Sequence, residues 1–120
     1  KVNNNKAFWC VNKIEKEIVD FVLKNKRKPI LALCGLAFKP NVNDLRQSPA
    51  KLIVNKVIQK KDLNNFRIVE PNIKEHHEFK LYSFEDAVSE SDIVVFLVAH
   101  NEFSLSKTTN KKTLNFCNVK

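Results

Sequence analysis

The sequence predicts a three-layer α/β fold: a doubly wound, mostly parallel sheet, Rossmann-like, with helices on both faces and a long helix in front. Three observations carry this expectation. Short apolar runs alternate with stretches of helical periodicity. The runs at 30–34 and 93–98 are continuously apolar, the pattern of strands buried on both faces. Two helix starts carry capping residues, Ser48-Pro49 and Ser83. With 120 residues, 43% of them hydrophobic, the chain has material for one packed domain.

Each element follows from its residues. Over 5–25, Ala7, Val11, Ile14, Ile18, Phe21 and Val22 recur at three- and four-residue spacing, the stripe of an amphipathic helix. Phe8, Trp9 and Cys10 add apolar surface outside that stripe. The basic stretch 24–28 ends at Pro29, which stops the helix. A central strand is expected at 30–34, then Gly35 and a loop to Gln47. Ser48 as N-cap and Pro49 at the first helical position open a helix to about Lys61, with Ala50, Ile53, Val54, Val57 and Ile58 inward. After a polar turn at 62–65 comes a second strand, 66–69, broken by Pro71. A short edge strand is expected at 79–82. Ser83 with Asp86 resembles a capping box and opens a short helix through Ala87 and Val88. The run 93–98 is the strongest strand, 101–112 is polar, and a last strand is expected at 114–117.

Composition narrows function. The net charge is +8, from 21 basic and 13 acidic residues. Only Arg27, Arg46 and Arg67 are arginines, the residue that reads guanine edges and clamps phosphates bidentately, so nucleic acid is not the expected partner. The longest apolar run, 93–99, falls far short of the ~18 residues of a membrane span. Three widely spaced cysteines, Cys10, Cys34 and Cys117, form neither a disulfide frame nor a zinc motif and fit a reducing cytoplasm. The chain starts at Lys1 and has no methionine, which leads us to expect a piece of a longer protein.

Ligands of open α/β sheets bind outside the carboxyl ends of the strands. Here three loops leave such ends: 35–47, 70–78 and 99–104. The first is the richest, with Phe38, Lys39, Asn41, Asn43, Asp44 and Arg46. A dinucleotide turn needs several glycines, and this chain has one, so it is not expected to bind NAD in the ordinary manner. An amine, a guanidinium and an aromatic ring can hold a phosphate and stack on a base. Alternatively, Asp44 and Arg46 pair only to brace the loop. Glu70, after the second strand, stands where an acid meets a ribose hydroxyl in dinucleotide folds, but it lacks the accompanying glycine turn. An Asp44–Glu70 catalytic pair has no support beyond both lying at strand ends. His76 and His77 are read as surface histidines with no third metal ligand close by, and His100 as an ordinary loop histidine. Cys10 lacks the base or glycine turn of a nucleophile.

The stretch from Gly35 through Phe38-Lys39, Asp44, Arg46 and Ser48-Pro49 to Ala50 closely resembles the signature of the UDP-glucose/GDP-mannose dehydrogenase family, in its carboxyl-terminal UDP-binding domain. The order of residues is G-x-x-[FY]-K, then D-x-R-x-S-[PS]. Residues 1–9, 69–73 and 97–103 resemble the branch that acts on UDP-N-acetyl-D-mannosamine; the UDP-glucose branch usually has Asp-Pro at Glu70-Pro71. The resemblance implies a domain at 28–120 that binds a UDP-sugar, preceded at 1–27 by the end of a central dimerisation helix. It implies an NAD-dependent 6-dehydrogenase of surface-polysaccharide precursor synthesis, cytoplasmic and homodimeric. NAD and the nucleophilic cysteine would belong to a part before Lys1, and this chain alone would be inactive. By position, Phe38 and Lys39 match the substrate-contacting pair, Arg46 the arginine that reaches NAD, and Asp44 the residue orienting that loop. Near the end the family shows a basic substrate contact; residues 115–118 contain none. The rival expectations are a UDP-glucose or UDP-N-acetylglucosamine 6-dehydrogenase domain, a basic nucleic-acid-binding module, and a dimerisation domain.

Overall fold

A computed structural model describes residues 4–120, Asn4 by its backbone; Lys1, Val2 and Asn3, part of the 1–9 resemblance, lie outside the described residues. The elements are α1 (Asn4–Asn25), β1 (Leu31–Cys34), α2 (Pro49–Ile58), β2 (Phe66–Val69), α3 (Phe84–Glu90), β3 (Ile93–Phe96) and β4 (Lys112–Asn115). Single 3₁₀ turns at Leu63–Asn65 and Leu105–Thr108 fill two connections. The four strands form one parallel sheet in the order β2-β1-β3-β4.

Side-chain alternation splits each central strand between two cores. Leu31 and Leu33 of β1, with Ile93 and Val95 of β3, pack under α1 and α2 against Ala7, Cys10, Ile14, Val54 and Val57. Ala32 and Cys34, with Val94 and Phe96, face the other way, onto Phe84, Ala87 and Val88 of α3 and onto Phe103 and Val119. The fold is therefore the expected three-layer, doubly wound one. Burying a strand on both faces also explains why β1 and β3 read as unbroken apolar runs. Lys61 ties the two front helices together, donating to Glu15 of α1 and to the Val57 carbonyl, both at 2.6 Å.

The caps behave as the sequence implies. The Ser48 hydroxyl accepts from the Lys51 amide at 3.1 Å, and Ser83 accepts from the Asp86 amide at 3.1 Å. Five expectations need correction. Helix α2 stops at Ile58, not Lys61, because Lys60 turns left-handed (φ 63°) and the Lys61 amide bonds back to the Ile58 carbonyl. The 79–82 edge strand is a single bridge, Leu81 with Ile68, with Tyr82 donating to the Ile68 carbonyl at 2.9 Å. The strongest strand closes at Phe96, two residues short of Val98. The last strand lies two residues earlier than expected, and Cys117 falls beyond it, half-buried. Cys10 is buried in the first core rather than outside the helix stripe, while Phe8 and Trp9 are exposed. No described helix is long and apolar enough to cross a membrane.

The candidate nucleotide site at the switch point of the sheet

Leaving β1, the chain goes to β2 on one side; leaving β2, it crosses back to β3 on the other. The carboxyl ends of β1 and β3 therefore flank the point where the winding reverses, the place where open α/β sheets bind ligands. The loops 35–47 and 97–104 leave those two ends, and Glu70 leaves the end of β2 beside them.

Gly35 makes the first turn possible. Its φ is +109°, a region L side chains rarely adopt, and a Cβ there would lie 2.7 Å from the Val98 Cβ. Its amide donates to the Val69 carbonyl at 2.8 Å. The next two amides, of Leu36 and Ala37, point at one buried oxygen, Glu70 Oε1, at 2.9 and 3.0 Å. In a dinucleotide turn such amides meet the pyrophosphate. Here a carboxylate of the chain itself occupies them, and the turn does not fit NAD.

Glu70 also reaches the other two strands' loops. Its Oε2 accepts from the Asn72 amide at 2.9 Å and from Asn72 Nδ2 at 3.2 Å, and its Oε1 lies 2.9 Å from His100 Nε2. On the far side of that ring, Nδ1 accepts from the Asn41 amide at 2.8 Å and stands 3.2 Å from Asn72 Nδ2. A backbone N–H can only donate, so Nδ1 carries no proton and Nε2 does. Both side chains are fully buried. Burial pushes the Glu70 carboxyl up, but the bonds from His100, Leu36 and Asn72 outweigh it and hold the group at about 2.

Around this anchor the loop is cross-braced. Asn41 adopts φ 62° and its Oδ1 accepts from the Asn101 amide at 2.9 Å. Phe38 donates from its amide to the Asp44 carbonyl at 2.7 Å, and the Ser48 hydroxyl donates to the Ala37 carbonyl at 3.1 Å. Asp44 holds Arg46 three times: its Oδ1 accepts from the Arg46 amide at 2.9 Å and from Nε at 3.1 Å, and its Oδ2 accepts from Nη2 at 3.1 Å. The guanidinium beside it lowers the Asp44 carboxyl below its ordinary range. Pairing and outward display coexist, because the Arg46 side chain remains 89% exposed. Phe38 is 51% exposed, and exposed Lys39 has no hydrogen-bond or ion-pair partner among the described residues. A cross-braced loop thus turns a ring, an amine and a guanidinium outward at the switch point.

Comparison with known proteins shows the family. The model of the UDP-glucose/GDP-mannose dehydrogenase family, UDP binding domain, matches residues 32–116. The chain belongs to this family. A UDP-N-acetyl-D-mannosamine dehydrogenase of Campylobacter jejuni is 38% identical over 124 aligned residues, covering 98% of this chain. An NDP-N-acetyl-D-galactosaminuronic acid dehydrogenase of Ralstonia solanacearum is 36% identical over 107, covering 86%. The chain spans 28% and 24% of those two proteins. The UDP-N-acetyl-mannosamine dehydrogenase of Staphylococcus aureus superposes with a TM-score of 0.73 over 98% of this chain and 28% of its own; at 22% identity it shares the fold.

Other candidates sort out differently. Glu70 and His100, which the sequence singled out only weakly, form the buried anchor behind the loop. Asp44 and Glu70 have separate partners and make no carboxylate pair. The rings of His76 and His77 stack at 4.6 Å, and a third potential metal ligand, Glu78, does lie beside them. Within this cluster His76 Nδ1 accepts from the Glu78 amide at 3.1 Å, and Glu78 accepts from Lys51 at 3.1 Å. Burial raises the Cys10, Cys34 and Cys117 thiols, the reverse of an activated nucleophile. The stretch 115–118, which lacks a basic residue, forms a turn around Asn115: its Oδ1 accepts from the Val119 amide at 3.0 Å and its Nδ2 donates to the Val119 carbonyl at 2.8 Å.

Proposed function

We propose that this chain is the nucleotide-sugar-binding part of an NAD-dependent 6-dehydrogenase that oxidises UDP-N-acetyl-D-mannosamine to the corresponding uronate, in surface-polysaccharide precursor synthesis. One observation carries the reading: an internally braced loop at the switch point turns Phe38 and Lys39 outward. Lys39 supplies the charge for a phosphate, and Phe38 gives a face for the base or sugar. Asp44 fixes the direction of Arg46, whose exposed guanidinium reaches the cofactor. NAD itself is held by a part of the enzyme outside this chain, since Glu70 fills the amides a dinucleotide would need. The nucleophilic cysteine lies outside it too. Helix α1 is the end of a helix joining the two parts and belongs to a homodimer contact in the cytoplasmic parent enzyme.

The 38% identity to a UDP-N-acetyl-D-mannosamine dehydrogenase supports the sugar assignment. An N-acetylgalactosamine-type sugar is the second reading, supported by the 36% identity of the Ralstonia relative. The test is an NMR titration of the chain with UDP. Resonances of Phe38, Lys39 and the 97–104 loop shift first; shifts confined to 5–25 overturn the reading. The chain alone, with UDP-sugar and NAD, produces no NADH.

A further inference from the structure

Five N–H groups converge on one buried carboxylate, and they come from the ends of all three neighbouring strands. Leu36 and Ala37 follow β1, Asn72 follows β2, and His100 follows β3. Neither oxygen of Glu70 is idle: Oε1 receives three donors and Oε2 two. An amide cannot replace it, because a Gln side chain would turn an NH₂ toward donors on one side or the other. The amide pair after Gly35 is where this class of fold holds a ligand anion, so Glu70 occupies a ligand's place from within.

The carboxylate then acts at a distance through His100. By accepting from Nε2 it selects the tautomer whose Nδ1 is bare, and only that tautomer can accept the Asn41 amide. Asn41 sits in the left-handed region and in turn holds Asn101. The segment between the two anchor points, Ala37 to Asn41, is the one that carries Phe38 and Lys39.

We infer that Glu70 is a built-in anion which, through the Nε2–H tautomer of His100, positions the Phe38–Lys39 segment for nucleotide binding. Glu70 and His100 are positioning residues, buried and out of reach of the ligand. The inference rests on the reading that this segment binds UDP, and the experiment separates the two.

The experiment uses the chain labelled with nitrogen-15, with UDP as probe. In the wild type at neutral pH, the imidazole spectrum shows His100 protonated at Nε2 and bare at Nδ1; the opposite tautomer or an imidazolium overturns the inference. In Glu70→Gln, UDP binding weakens about tenfold, and amide exchange at Leu36, Ala37 and Asn41 accelerates by more than the uniform acceleration that lower global stability brings to the strands. A variant that melts earlier but keeps wild-type loop exchange and UDP affinity overturns it. In Glu70→Ala, acetate restores slow exchange at Leu36 and Ala37 and restores UDP binding, whereas glycerol does not; no rescue in a folded variant overturns the built-in-anion role. Should that variant not fold, the wild-type tautomer and the Glu70→Gln exchange still decide. Failure of the wild type to bind UDP defeats the functional reading alone, because tautomer and exchange are read without ligand.

Discussion

Acid should unfold this protein through Glu70 in particular. In the folded chain the carboxyl is held at about 2, against 4.5 for the free group, and its side chain is fully buried. A carboxyl held that far below its unfolded value contributes on the order of 3 kcal/mol at neutral pH. The sign follows from proton counting. Above 4.5 both states are ionised and the contribution is complete; below it the unfolded chain takes up a proton that the folded chain refuses, and stability falls until about pH 2. Against a typical total of about 5–15 kcal/mol, that loss is readily measured. Urea unfolding at pH 7, 4 and 2.5 gives the curve, and Glu70→Gln gives the control. Asp44, Glu78 and Asp92 are also held low, by Arg46, Lys51 and Arg27, and Glu85 by a backbone amide and then Lys107; the stability they contribute is lost in the same direction. Both proteins keep those groups, so they cancel in the comparison. The wild type should lose about 3 kcal/mol more than the variant across the window. Parallel pH profiles would refute the assignment of this linkage to Glu70.

Three further outcomes are expected. Gly35→Ala forces a Cβ into Val98 at a backbone φ of +109°, and should cost roughly 2–4 kcal/mol of stability in urea unfolding. Lys39→Ala removes an exposed amine that has no partner among the described residues, so the melting temperature should hold while UDP affinity, measured by calorimetry, falls about tenfold. Arg46→Lys in the parent enzyme loses the two-nitrogen grip on Asp44; turnover or NAD affinity should drop by about 1–3 kcal/mol in transition-state terms, with stability changed by less than ~1 kcal/mol. A normal rate with a much lower melting temperature would make Arg46 a brace only.

What the sequence could and could not reveal follows from how local each signal is. Ser48-Pro49 and Ser83 announce helix starts because capping joins residues three apart, and both caps form. The strands β1 and β3 are visible because two-sided burial leaves no polar position in them. Strand β4 is not, because Lys112–Asn115 is an edge strand with no buried residue, and the apolar residues Leu114, Phe116 and Cys117 begin only in its second half. The outward side chains of the site lie within one loop and share one local pattern. The anchor behind them does not: Glu70 and His100 are 30 residues apart, and Glu70 meets Leu36 across 34. Their signal was positional. An acid one residue past β2 and a histidine a few residues past β3 converge only if those strands flank β1, and that order is fixed by the two crossovers together. A lone glycine at the β1 turn pointed the same way. A turn that keeps two amides aligned but has no glycine-lined space for a pyrophosphate must satisfy those amides from inside the chain, and an acidic residue at the neighbouring strand end is the group that can.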